Sequence, residues 1–172
     1  MLKTGNEHIE SLNDGRTVYI GNEKVENVTT HPAFRNAAKT VASLYDVKHE
    51  QEFKDILSFE EDGERYSMWF LRARNREDLR KRSLAHKKIA DLSSGLFGRS
   101  PDHVASFVTG MSTSPSVFNS EKYKFGDNLL AYYQHMRKND IFATYAVLPP
   151  QAARNPEFYE KQNLPVPTLR VV

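Results

Sequence analysis

The sequence predicts a mainly α-helical domain with a short β-hairpin near its N-terminus and a β-rich stretch near its C-terminus. Apolar residues recur at helical spacing in several segments between residues 4 and 138. Gly21-Asn22 forms a two-residue turn between β formers. From Ile141 to Leu148 the composition switches to β-branched and aromatic residues and stops at Pro149-Pro150.

The elements follow in order. Thr4 to Leu12 reads as a helix closed by Asn13-Asp14-Gly15. Thr17 to Ile20 and Glu23 to Val28 flank the Gly21-Asn22 turn as a hairpin. Pro32 is expected to open a core helix, because Phe34, Ala37, Ala38, Val41, Ala42, Leu44 and Tyr45 share one face; the helix should end near Lys48. A shorter amphipathic piece covers Gln51 to Leu57, and the aromatic stretch Tyr66 to Leu71 reads as extended. Asn75, with Asp78 three residues on, caps a long polar helix that runs through Leu79, Ile89 and Leu92 to Ser93-Ser94-Gly95. Gly95 and Gly98 bracket a break before a helix through Val104, Ala105, Phe107 and Val108, which the small residues from Gly110 to Ser116 interrupt. A last helix from about Glu121 to Lys138 carries Phe125, Leu129, Leu130, Tyr132, Tyr133 and Met136. Residues 141–148 are expected to form a buried strand, and Leu169 to Val172 the opening of another. Strands that begin this late lack partners within the sequence, so it reads as the front of a longer protein, with a helical unit over 1–139.

Composition narrows the function. The 172 residues correspond to one domain of ordinary core size, and a net charge of +2 with pI near 8.7 is too mild to imply a nucleic-acid partner. The absence of cysteine removes disulfides, thiolate metal sites and cysteine nucleophiles. The N-terminus lacks an apolar signal core and no run is long enough to span a bilayer, so a soluble cytoplasmic protein is expected. The basic residues Arg72, Arg74, Arg76, Arg80, Lys81, Arg82, Lys87 and Lys88 are interrupted by Glu77 and Asp78, and helical spacing spreads them around a solvated face. No phosphate loop, His-Glu-x-x-His or Gly-x-Ser-x-Gly occurs.

The densest chemistry lies in Gly98-Arg99-Ser100-Pro101-Asp102-His103. Ser100 is a good N-cap, Pro101 suits the first helical position, and Asp102 suits the positive end of the helix dipole. Arg99 and the free N–H groups of that turn then face one small volume, a seat for a phenolate or carboxylate. His103, beside a fixed cation and a helix N-terminus, is expected to be neutral and able to accept a proton. On the residues alone, Arg99 also reads as a surface or capping contact, and His103 as an ordinary residue of an amphipathic helix. The other histidines do not pair at metal-ligand spacing, and no metal site is expected. His8, His49, His86 and His135 read as solvent-exposed, and His31 as a helix-start residue.

Ordered strings along the chain resemble a known family. Thr4-Gly5, Asp14-Gly15-Arg16, Val18-Tyr19-Ile20, Thr29-Thr30-His31-Pro32-Ala33-Phe34-Arg35-Asn36, Leu44-Tyr45-Asp46, Asp78-Leu79-Arg80 and Gly98-Arg99-Ser100-Pro101-Asp102 are similar to the N-terminal part of the 4-hydroxyphenylacetate 3-monooxygenase oxygenase component. Asp102 to Ser106 and Tyr145 to Gln151 most resemble the branch named for pyoverdine chromophore biosynthesis. The resemblance implies a two-component monooxygenase in which a separate flavin reductase supplies FADH2. The oxygenase forms a C4a-hydroperoxyflavin with O2 and hydroxylates a phenolic substrate ortho to its hydroxyl. It also implies an acyl-CoA dehydrogenase-like fold, with residues 1–139 as its helical N-terminal domain and 140–172 as the start of a truncated middle β-barrel, a tetramer in the full-length form, and a fragment inactive alone.

In the family, an Arg is followed four residues on by a usual Tyr, and the first barrel strand contributes a His. Here the types are exchanged, with His103 in the Tyr place and Tyr145 in the His place. The resemblance therefore implies Arg99, His103 and Tyr145 as the catalytic set and Thr144, Tyr145 and Gln151 on the flavin side. A phenol has a pKa of about 10, so a guanidinium that stabilises the phenolate and a base that takes its proton would activate the ring. The alternatives are a non-catalytic helical interaction module derived from this family, and a basic-helix nucleic-acid binder with steeply salt-dependent affinity.

Overall fold

Thr4 starts the first helix through a reciprocal cap. In the computed structural model, which describes residues 2–97 and 102–144, the Thr4 hydroxyl accepts the Glu7 N–H and the Glu7 carboxylate accepts the Thr4 N–H at 2.7 Å. Helix α1 (Gly5–Ser11) lies tightly on α2 (Arg35–Asp46) because residue 5 has no side chain: a Cβ there would stand 2.6 Å from the Ala42 carbonyl oxygen. The Gly5 N–H instead donates to Asp46 Oδ1 at 2.7 Å.

Strands β1 (Val18–Ile20) and β2 (Glu23–Val25) form the expected hairpin, with Val18 opposite Val25 and Ile20 opposite Glu23. Gly21 has φ +59°, which the first position of a type II′ turn requires. Helix α2 begins three residues later than Pro32 leads one to expect. The reason is local competition: Asn27 accepts the Thr29 N–H on its side chain and the His31 N–H on its carbonyl, and the His31 ring accepts the Ala33 N–H.

A 3₁₀ turn (Val47–His49) extends α2, and one turn of helix, α3 (Lys54–Leu57), is what forms of the amphipathic piece expected from residue 51. A second hairpin follows that the sequence reading did not anticipate, β3 (Ser58–Glu61) against β4 (Glu64–Ser67). Asp62 and Gly63 at its tip have φ +56° and +77°, the two left-handed residues of a type I′ turn. The extended reading of 66–71 is thus right for Tyr66 and Ser67 only. Met68–Phe70 is a buried 3₁₀ turn.

Helix α4 (Arg76–Leu92) starts where expected, with Asn75 Oδ1 accepting the Asp78 N–H at 2.9 Å. It ends as Ser94 and Gly95 turn left-handed and the Gly95 N–H returns to the Ala90 carbonyl. Helix α5 (Asp102–Met111), a 3₁₀ turn (Pro115–Phe118) and α6 (Phe125–Lys138) complete the described chain. Helix α6 starts four residues after Glu121, because Asn119 pairs with Lys124 across a loop and its side chain accepts the Gly126 N–H at 2.8 Å. On α6, Tyr133 and Met136 are buried while Phe125 and Tyr132 are exposed.

Gly126 sits where α6 crosses the preceding 3₁₀ turn; a Cβ would run into the Pro115 carbonyl and approach Asn119 Oδ1 to 2.9 Å. Gly126→Ala should therefore destabilise the domain by about 1–3 kcal/mol, although alanine is the better helix former. Urea denaturation checks this; a stabilised variant would contradict it.

The core has two parts joined by the 3₁₀ turn at 68–70. Met68 packs with Leu44, Val47, Leu57, Ala85 and Ile89, while Trp69 and Phe70 pack with Ala105, Val108, Tyr133 and Met136. The strand expected over 141–148 is not formed within the described residues: the sheets there are the two hairpins, and Ile141 to Thr144 join neither. Residues 145–148 and 169–172 lie outside the described residues.

Candidate functional site

Of the residues singled out for chemistry, the structure describes His103 and Thr144, whereas Arg99, Tyr145 and Gln151 lie outside the described residues. His103 occupies the first turn of α5, half-buried, with its ring edge-on to Phe107 at 4.8 Å between centroids. Helix α5 is anchored by Ala105 and Val108 in the second core cluster and by the Thr109 hydroxyl, which donates to the Trp69 carbonyl. Ile141 and Ala143 pack on that same cluster. One apolar cluster therefore anchors both α5, which carries His103, and the segment that leads to the exposed Thr144.

Helix α5 also bounds a cavity of about 680 Å³ against α4, lined by Leu79, Arg82, Ser83, Ser106, Thr109 and Gly110 among others, but not by His103. Arg82 closes its floor by donating to the Trp69 and Leu71 carbonyls, each at 2.8 Å. Other members of the basic run are likewise engaged: Arg72 stacks on Tyr133, Arg74 faces Glu61, Lys87 pairs with Asp91 and Lys88 lies over Phe53.

A buried polar cluster stands where the chain leaves α6. The Asp140 carboxylate accepts from the Lys48 ammonium, the Ser67 hydroxyl and, at 3.0 Å, the Lys3 N–H. Lys48 also donates to Ser67 at 2.9 Å and lies 4.1 Å from the Tyr45 ring centroid and 4.6 Å from that of Trp69. The Tyr45 hydroxyl donates to the Asp140 carbonyl at 2.8 Å. Burial pushes the Lys48 ammonium down to about 8, with the Asp140 carboxylate opposing. Burial, helped by the Asp140 charge, pushes the Tyr45 hydroxyl well above the usual phenol range.

This cluster has one signal in the sequence. Lys48 follows Val41, Leu44 and Tyr45 at helical spacing, so a charge falls on an apolar face. Its acid partner lies 92 positions away, with no local mark.

His8 is a correction. Expected at the surface, it is 7% exposed, stacked on Tyr45 at 4.8 Å and 6.4 Å from the Phe142 ring. His86 is half-buried in the wall of the α4/α5 cavity, while His49 and His135 are exposed as expected. Burial, then the Lys3 and Lys48 charges, lowers the His8 imidazole below its ordinary value, Asp140 opposing. The unfolded chain then takes up a proton near pH 6.5 that the folded chain resists. Stability should fall as pH drops from about 6.5 toward the lowered folded midpoint, and level off below it. His8→Phe should flatten that slope in urea denaturation at pH 7.5 and 5.5; an unchanged slope would remove His8 as its source.

The sequence matches the family described as 4-hydroxyphenylacetate 3-hydroxylase N terminal over residues 4–172. It is 36% identical over 173 residues to the 4-hydroxyphenylacetate 3-monooxygenase oxygenase component of Thermus thermophilus, covering 99% of this chain and 35% of that one. The oxygenase component of 4-nitrophenol 2-monooxygenase from a Rhodococcus species is 35% identical, covering 88% of this chain and 29% of the relative. The chain spans about a third of the length of these relatives. A crystal structure of the oxygenase component (HpaB) of 4-hydroxyphenylacetate 3-monooxygenase complexed with FAD and 4-hydroxyphenylacetate superposes with TM-score 0.80 at 38% identity, over 87% of this chain and 31% of that one. An archaeal 4-hydroxybutyryl-CoA dehydratase from N. maritimus, 18% identical with TM-score 0.68 over 83% of this chain and 28% of that one, shares the fold alone.

Proposed function

The chain belongs to the 4-hydroxyphenylacetate 3-hydroxylase N-terminal family, and on that premise we propose that it supplies the phenol-side part of a two-component, FADH2-dependent aromatic monooxygenase. The relatives act on 4-hydroxyphenylacetate and 4-nitrophenol by name, and these share a ring hydroxyl but differ in the para group. The substrate class is therefore a phenol. The observation that carries the reading is that α5, with His103 in its first turn, and the segment leading to Thr144 are seated on one apolar cluster. Two stretches 30 positions apart in sequence, from Met111 to Ile141, are thus held by the same core.

In this reading Arg99, three positions before α5 in the sequence, binds the phenolate oxygen by charge-assisted hydrogen bonds. His103 and Tyr145 share the task of taking the hydroxyl proton and orienting the ring. Phe107, edge-on to His103, restricts the imidazole from one side. The exposed Thr144 hydroxyl fits a hydrogen-bonding role toward a flavin edge, and Gln151 is assigned to the same side. When bound, reduced FAD would supply the two electrons that activate O2, one atom of which goes to the ring while the other leaves as water. Residues 1–139 form the helical N-terminal domain of an acyl-CoA dehydrogenase-like fold and 140–172 the start of its barrel. A flavin reductase is the partner, the full-length form is a homotetramer, and the setting is cytoplasmic.

The test supplies the chain with FADH2, O2 and either 4-hydroxyphenylacetate or 4-nitrophenol, beside a full-length relative. The expected result is phenol binding without catechol formation by the chain alone. Appreciable catechol would overturn this division of labour, and binding of neither phenol nor flavin would favour a non-catalytic helical module.

A further inference from the structure

The Asp140 cluster is built at a cost that stability does not explain. A buried ion pair loses hydration on both partners and is often no better than apolar residues of the same volume. Asp140 also takes φ +45° at the end of α6, a conformation that Gly or Asn adopts more cheaply at a helix C-terminus. Yet three distant parts of the chain converge on it: Lys3 at the N-terminus, Lys48 after α2 and Ser67 in β4. Its carbonyl is held by Tyr45, and the next N–H, of Ile141, returns to the Met136 carbonyl at 3.1 Å. The carboxylate, the carbonyl and the following N–H of one residue are all fixed. That leaves the chain one direction in which to leave α6.

We propose that Asp140, clasped by Lys48, Ser67 and Tyr45, is a positioning residue that sets the path of residues 141–144 and so the placement of the flavin-side Thr144. The functional consequence, though not the clasp itself, rests on the reading given above. The clasp acts through the backbone, without touching substrate. Phe142, packed near His8, and Ile141 and Ala143, packed on the Trp69 cluster, transmit the setting along the segment.

The test is amide hydrogen exchange in the wild type, Asp140→Asn, the double variant Lys48→Met/Asp140→Asn, and Leu57→Ala. Leu57 is fully buried in the other core cluster and serves as a control for loss of stability alone. The double variant leaves no unpaired charge and keeps the test usable if the single variant does not fold. Exchange at the Ile141 amide, whose N–H donates to the Met136 carbonyl, should rise at least tenfold in both clasp variants while α4 amides keep their rates. Leu57→Ala should instead change exchange without favouring that amide. Wild-type protection of the Ile141 amide in a folded double variant would overturn the proposal, as would a rise spread evenly over the chain. A second arm measures 4-nitrophenol binding by its absorbance. If the wild type binds, the double variant should bind about tenfold more weakly, because Tyr145, assigned to the phenol, directly follows Thr144 in the chain, and Leu57→Ala at matched stability should not; equal loss in both overturns the positioning role. If the wild type does not bind, the phenol reading fails, while the exchange result still decides the clasp.

Discussion

Lys48→Met is expected to cost about 3–5 kcal/mol of folding stability, because it leaves the Asp140 carboxylate buried with its charged partner gone. The pair is 0% and 1% exposed, so water cannot replace the lost ammonium without opening the core. The Ser67 hydroxyl and the Lys3 N–H remain as donors to the carboxylate, and neither carries the side-chain charge that balanced it. Methionine fills most of the space between the Tyr45 and Trp69 rings, so the loss is electrostatic rather than a cavity. A domain of this size has about 5–15 kcal/mol in total, so the variant should unfold at a much lower urea concentration. The neutral double variant Lys48→Met/Asp140→Asn should recover most of the loss, since replacing both partners removes the stranded charge. Trp69, the sole tryptophan, lies against the cluster and reports the transition by fluorescence. A single-variant cost below about 1 kcal/mol would mean that the carboxylate finds water or another donor.

The second large effect is on binding. Arg99→Ala should weaken phenolate binding by roughly 10- to 150-fold, the equivalent of about 1.5–3 kcal/mol for a hydrogen bond to a charged group. Arg99→Lys should recover part of it, because the charge returns without the planar fork. The loss should be larger at a pH where the free phenol is ionised than where it is neutral, since only the phenolate exploits the fixed charge. Calorimetric titration with 4-nitrophenol at two pH values checks this. Equal affinity of wild type and Arg99→Ala would remove the guanidinium from the site.

Where local chemistry decides the structure, the sequence was enough to see it. The Asn75 cap and the Gly21-Asn22 turn carry their own partners within a few residues, and they formed as read. The Asp62-Gly63 turn carried an equally local signal, but the charged residues on either side masked the short strands as helix or loop. Pro32 misled because Asn27 and His31 side chains satisfy the backbone ahead of it, a competition that spacing alone does not rank. The burial of His8 and the acid partner of Lys48 were beyond local reasoning for a different reason. Their environment is made by residues 37 and 92 positions away, Tyr45 and Asp140, brought near by tertiary packing. For the candidate site, the helix that presents His103 was legible; that α5 and the 141–144 segment share one core cluster was not.

The most direct test follows the visible absorbance of 4-nitrophenol, whose phenolate is yellow and whose neutral form is not, as the chain is added across a range of pH. If a fixed guanidinium meets the ring oxygen, the bound ligand should stay ionised at pH values where the free ligand is mostly protonated, and Arg99→Ala should abolish that shift. Bound ligand that titrates like free ligand, or no saturable binding at any pH, would contradict the account.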